Sequence, residues 1–165
     1  MALRTGMKAP EFALTTTSGK PAILSALIKR GPVVLAFFKV GCPTCQYAFP
    51  YLDRLFQVHN PEPVSFLGIS QDNAADTQAF VKQYGVTFPV ALDDPQRYIV
   101  SNAYKLTNVP TVYLVDRDGE IQVSSVGWAR QEIDELNLKL SMMDPAQQPH
   151  PIFKPGEEIA EYKAG

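Results

Sequence analysis

Cys42 and Cys45 are the only cysteines in a chain of 165 residues, and Pro43-Thr44 separates them. A cross-link that closes so short a loop removes little entropy from the unfolded chain, so the pair makes a poor structural staple. Two thiols at this spacing can instead exchange a disulfide with another molecule: one attacks, and the other resolves the mixed disulfide. The alternatives are a zinc site and two inert buried thiols. Zinc wants four ligands, and the chain adds only His59 and His150, both remote in sequence, so no metal or other cofactor is expected.

The elements around the pair favour chemistry over packing. Val33-Val-Leu-Ala-Phe-Phe38 is a continuous apolar run of β-formers, as expected of a strand buried on both faces. From Pro43 to about His59 the apolar residues Tyr47, Phe49, Tyr51, Leu52, Leu55, Phe56 and Val58 predict an amphipathic helix, with Pro50 inside it as a kink point. Cys42 then stands at a helix start, where free N–H groups and the positive end of the macrodipole favour a thiolate. Pro43 has no N–H, so the Thr44 and Cys45 amides and the Thr44 hydroxyl are the expected donors to the Cys42 sulfur. Cys45 lies one turn further in and should be the more buried thiol. C-x-x-C inside a βαβ pattern reads as a redox motif.

The remaining chain reads as one compact unit, residues 1–143, with no internal repeat and a Pro-rich tail over 144–165. An entry over residues 1–22 carries candidate strands at Phe12–Thr16 and after the Ser18-Gly19 turn, and Ser25–Arg30 predicts a short helix. Val64–Ile69 is a second buried strand. A helix capped by Asp72 or Asn73 runs to Tyr84 and stops at Gly85. Asp94-Pro95 is expected to open another, through Tyr98 to Tyr104. Thr111–Val115 is a third core strand, and Asp116-Arg-Asp-Gly119 turns into the strand Glu120–Val126. Gln131–Leu140 predicts a helix whose apolar side is Ile133, Leu136, Leu138 and Leu140. The order implies an α/β fold: a mixed sheet with helices on both faces. Pro110, just before a core strand, cannot donate to a ladder and belongs at a strand start or turn. The tail, with Pro145, Pro149, Pro151 and Pro155, is either a loosely ordered arm or a segment whose Ile152, Phe153 and Ile159 dock on the domain or on a partner subunit of a homodimer.

Charge narrows the partners. The net charge of −2 comes from interspersed residues, with no basic stripe for nucleic acid. Val33–Phe38 is far shorter than the roughly 18 apolar residues of a membrane span. The first ten residues carry no apolar core of a secretion signal, so a cytoplasmic setting is the expectation.

Taken together, Gly6-Met-Lys-Ala-Pro-Glu-Phe12, Phe37-Phe38 through Cys45, Phe66-Leu-Gly-Ile-Ser-Gln-Asp72, Thr87-Phe-Pro-Val90, Asp93-Asp-Pro95 and Val109-Pro-Thr-Val-Tyr-Leu-Val-Asp-Arg-Asp-Gly119 resemble the thioredoxin-like redoxins of the AhpC/TSA superfamily. Within it the chain is most similar to TlpA-type thiol-disulfide oxidoreductases. The resemblance covers roughly residues 6–140. It implies a thioredoxin-like fold with an N-terminal extension and a redoxin-type insertion over about 71–107. It further implies Cys42 as attacking thiol, Cys45 as resolving thiol, and a cis Val109–Pro110 peptide beside them. The Val109 backbone would bind an extended substrate peptide, with Pro43 and Thr44 as further substrate contacts. The expected activity is dithiol exchange with protein or small-molecule disulfides in redox homeostasis, served by an unidentified electron donor.

The chain also departs from the family pattern. Many thioredoxins carry a buried acid where this chain has Ala36, and TlpA-type proteins often carry Glu where it has Ala48. Lys39 is the nearest titratable side chain, and a solvated strand-end residue explains it as well as a tuning role does. Peroxide reduction, an alternative in this superfamily, needs a Thr or Ser three residues before the peroxidatic Cys and an Arg near the matching strand. With Phe37-Phe38 as anchor, Cys45 takes the peroxidatic place and Cys42 replaces the Thr. No cation stands near Pro110, so support for O–O cleavage is missing. A third alternative is a non-catalytic protein whose Cys pair switches a binding surface.

Overall fold

The computed structural model describes residues 1–59, 63–143 and 151–165. A turn closed by the Gly19 amide on the Thr16 carbonyl at 2.9 Å brings β1 (Ala13–Thr16) and β2 (Pro21–Ile23) together as a hairpin, followed by α1 (Leu24–Arg30). Then come β3 (Val33–Phe38), α2 (Pro43–His59), β4 (Ser65–Ser70), α3 (Ala74–Tyr84), β5 (Val90–Leu92), α4 (Ile99–Ala103), β6 (Thr111–Val115), β7 (Ile121–Val126), β8 (Trp128–Ala129), α5 (Arg130–Met143) and β9 (Tyr162–Lys163). Seven strands form one mixed sheet in the order β2-β1-β5-β4-β3-β6-β7, and β8 pairs with β9 apart from it. The β3, β4 and β5 ladders are parallel, and β6 lies antiparallel on the other side of β3.

The period of two in β3 explains why the sheet is covered on both faces. Val34, Ala36 and Phe38 face a core built with α2, α3 and α5, which also holds Cys45, Phe49, Phe80 and Leu136. Val33, Leu35 and Phe37 face the opposite core, with Leu24 of α1, Val100 of α4 and Tyr104. Each fully buried Phe or Leu here contributes about 2 kcal/mol of burial. β3 therefore sits at the centre of the molecule, and its C-terminal end delivers Lys39–Cys42 to the start of α2. The α2 helix continues through Pro50.

Two expectations need correction. The helix expected from Asp94 to Tyr104 is only Ile99–Ala103, because Tyr98 adopts a left-handed conformation (φ 51°) that separates it from the preceding turn. Asp94 caps that turn through the Gln96 and Arg97 amides, and the buried Asp93 carboxylate caps α4 through the Val100 and Ser101 amides. Leu138, expected on the apolar side of α5, is 52% exposed, while Ile133, Leu136 and Leu140 are buried as expected. The α3 caps fall at Asn73 and at a left-handed Gly85.

Residues 151–165 lie against the domain. Ile152 is buried, Phe153 and Ile159 pack on the α2–α5 core, and Arg54 of α2 holds Glu157 with two hydrogen bonds of 2.7 Å. Docking on the domain is thus the seen alternative for these residues, while Pro145, Pro149 and His150 lie outside the described residues.

Candidate active site

Three loops meet at the pair: the β3–α2 connection, the turn before β6, and the end of the chain along β8. The first is braced from two sides. The Asp72 carboxylate accepts the Val40 amide at 2.8 Å, and the Gln46 side chain donates to the Val40 carbonyl at 2.9 Å. Cys42 closes the turn through its amide to the Lys39 carbonyl at 3.3 Å. Its sulfur then does what a capping oxygen does at a helix start, accepting the Cys45 amide at 3.2 Å. The structure holds both as free thiols, Cys42 half-buried and Cys45 fully buried.

The other donors expected at Cys42 behave differently. The Thr44 hydroxyl, expected to point at the sulfur, donates instead to the Ala164 carbonyl at 2.6 Å, and no bond from the Thr44 amide to the sulfur forms. The reason is reach: the end of the chain passes over Thr44, which is 9% exposed, and offers a carbonyl there. Pro43 is exposed at the rim.

The second loop carries Val109 and Pro110, joined by a cis peptide as the resemblance implied. The Thr111 hydroxyl fixes the loop by donating to the Asn108 carbonyl at 2.7 Å, and the Pro110 carbonyl accepts the Gly127 amide at 2.8 Å. The Cys42 thiol donates to the Val109 carbonyl at 3.4 Å, while the Val109 amide forms no hydrogen bond with the described residues. The structure thus brings Cys42, Cys45, Thr44, Val109 and Pro110 to one place.

Burial pushes the Cys45 thiol well above its ordinary value, and the adjacent Cys42 sulfur adds to the shift. The Lys39 and Cys45 backbone amides offset it only in part. Ala36 and Ala48, the positions at which the resemblance led to an expectation of acids, are both 2% exposed and share the apolar core with Cys45. Lys39 is exposed, with its ammonium 5.3 Å from the centre of the Tyr98 ring. No cluster among the described residues could hold a metal ion.

Sequence reasoning missed the bracing by Gln46, the part played by Asn108, and the end of the chain as a wall of the site. Gln46 and Asn108 carried no periodic signal, and the last residues are short, polar and without an apolar pattern. Gln46, Asn108 and Asp72 all stood inside or beside stretches already singled out, but none had been given a role at the site.

The sequence pattern of the AhpC/TSA family matches residues 5–124. The chain belongs to the AhpC/TSA family. As an AhpC/TSA member it is 32% identical over 138 residues to the thiol-disulfide oxidoreductase ResA of Bacillus anthracis, spanning 83% of this chain and 78% of that protein. Its fold superposes with a TM-score of 0.77 on a Bacteroides thetaiotaomicron protein provisionally named a protein disulfide isomerase (27% identity, 87% of this chain and 94% of that one). A Chlorobium tepidum protein provisionally named thiol:disulfide interchange protein DsbE gives 0.74 (26% identity, 84% and 96%). The thioredoxin-like α/β fold, and thiol–disulfide exchange as the chemistry of this AhpC/TSA enzyme, follow from this agreement.

Proposed function

We propose that the chain reduces disulfides of protein substrates, with Cys42 as nucleophile and Cys45 as resolving thiol. The observation that carries the assignment is the contrast in burial at one helix start: Cys42 reaches solvent and caps α2, whereas Cys45 is 0% exposed beneath it. The Cys42 thiolate attacks one sulfur of the substrate disulfide, and the second substrate sulfur leaves as a thiolate. A Cys42–substrate disulfide has then formed and the substrate S–S bond has broken. Cys45 next gives up its proton and attacks the Cys42 sulfur. The substrate's remaining sulfur departs as a thiolate, the Cys42–Cys45 disulfide forms, and two electrons have passed from protein to substrate.

An upstream electron donor, a dithiol by chemical class, returns the pair to its reduced state. The Val109 amide, without a hydrogen bond among the described residues, and the Val109 carbonyl supply a peptide edge for an extended substrate, next to Pro43 and Thr44. A cytoplasmic setting forms part of the proposal and makes reduction the working direction; a Cys42–Cys45 potential below the cytosolic glutathione poise supports it, and one above opposes it.

Peroxide reduction fits less well. The peroxidatic place falls on Cys45, which is fully buried and whose thiol is held protonated by its surroundings. The test is direct. Protein reduced with dithiothreitol should turn over the disulfides of insulin and consume hydroperoxide slowly. Rapid hydroperoxide consumption without insulin turnover reverses the assignment.

A further inference from the structure

The last residues of the chain occupy the groove beside the dithiol as a peptide would. Tyr162 and Lys163 form β9 and pair antiparallel with Ala129 and Trp128. The next two main-chain oxygens are then taken by side chains of the site: Thr44 donates to that of Ala164 at 2.6 Å and Asn108 donates to that of Gly165 at 3.1 Å. These contacts are made to main chain, so they suit an extended peptide of varied sequence, with a glycine favoured at the position of Gly165. The fit is close on both sides. A Cβ on Gly165 would stand 2.8 Å from the Val109 carbonyl oxygen, the same oxygen that accepts the Cys42 thiol. A Cβ on Gly127 would stand 2.8 Å from the Lys163 carbonyl oxygen, and Gly127 also needs its positive φ of 75°. No hydrogen bond from this segment goes to the Cys42 sulfur itself.

Resting on the dithiol-exchange reading above, we propose that residues 162–165 act as an intramolecular pseudo-substrate. They close the peptide groove, and an extended polypeptide bearing a disulfide must displace them before Cys42 can attack. Small disulfides reach the half-buried Cys42 without using the groove. The enzyme then discriminates in favour of polypeptides that compete for the Trp128–Ala129 edge, Thr44 and Asn108. The segment gates their entry by lowering the fraction of molecules with an open groove. It can be removed cleanly, because the anchors before it lie elsewhere: Trp128 donates to the Ala160 carbonyl at 2.6 Å and the Arg130 amide to the Glu161 carbonyl at 3.0 Å.

The experiment compares the full chain with one ending at Glu161, using insulin and 2-hydroxyethyl disulfide as substrates. A labelled peptide Ala-Glu-Tyr-Lys-Ala-Gly serves as the groove probe. Removal should raise the insulin rate about tenfold and leave the small-disulfide rate within about twofold. The peptide should bind the shortened chain saturably at millimolar concentration or below, since a tethered segment acts at about that effective concentration, and should suppress the insulin gain. An unchanged or lower insulin rate, or an equal rise for both disulfides, overturns the proposal. If neither form reduces either disulfide, the dithiol reading fails instead. Occupation of the peptide groove by residues 162–165 is then decided by the probe alone: it stands if the peptide binds the shortened chain at least about tenfold more tightly than the full chain, and falls otherwise.

Discussion

The backbone amide of Cys45 meets the Cys42 sulfur at 3.2 Å, so the residue that resolves the intermediate also steadies the attacking thiol before the reaction. The same turn of α2 that exposes Cys42 buries the Cys45 side chain in an apolar core, where its anion is poorly supported. The two half-reactions should therefore respond differently to pH. Because the Cys45 thiol is raised, its thiolate fraction grows about tenfold per pH unit across the neutral and mildly alkaline range. Release of a chromophoric thiol from a preformed Cys42 mixed disulfide should accelerate with that slope from pH 7 to 9. A flat profile would show that Cys45 is already ionised.

Thr111 connects the sheet to the Val109 loop. Its hydroxyl is buried and donates to the Asn108 carbonyl at 2.7 Å. Thr111→Val should cost about 1 kcal/mol of stability, read from the urea midpoint. It should also raise KM for insulin at nearly unchanged kcat, because the loop presenting Val109 loses its tie.

The Arg54–Glu157 pair fastens the 151–157 segment to α2. Arg54 pulls the Glu157 carboxyl down from its ordinary 4.5 to about 2. A carboxyl depressed on folding stabilises the native state above its unfolded value, and that stability fades as pH falls from about 4.5 toward 2. Glu157→Gln should thus lower the thermal midpoint at pH 7 and make little difference near pH 2. Equal loss at both pH values would mean that the carboxylate charge is not what Arg54 uses.

Trp128 is the single tryptophan of the chain, fully buried, with Tyr47 at 5.1 Å and Tyr51 at 5.2 Å between ring centres. Its indole N–H donates to the Ala160 carbonyl at 2.6 Å. Trp128→Phe keeps much of the ring packing but removes that bond and some volume. It should cost about 2 kcal/mol in chemical denaturation and expose the segment after residue 151 to limited proteolysis.

Much of this architecture could be read from local pattern. Val33–Phe38 announced a strand buried on both faces because every position was apolar, and Gly85 with Asp72 or Asn73 marked the ends of α3 through cap chemistry that acts over three or four residues, Asn73 being the cap that forms. The Cys pair was legible for the same reason, since its helix start is a local feature. What escaped was set by contacts across the chain. Tyr98 breaks the helix expected after Asp94 because the Asp93 carboxylate draws in the Val100 and Ser101 amides. The Thr44 hydroxyl turns away from Cys42 because Ala164, 120 positions on, offers it a carbonyl. No window of sequence around residue 44 holds that information.

The division of labour between the two thiols is tested most directly by trapping. Cys45→Ser, mixed with insulin and mapped by mass spectrometry, should accumulate a covalent adduct on Cys42, with turnover reduced about a hundredfold or more. Cys42→Ser should give neither adduct nor turnover. An adduct that forms only in Cys42→Ser, on Cys45, would contradict the assignment and exchange the two roles.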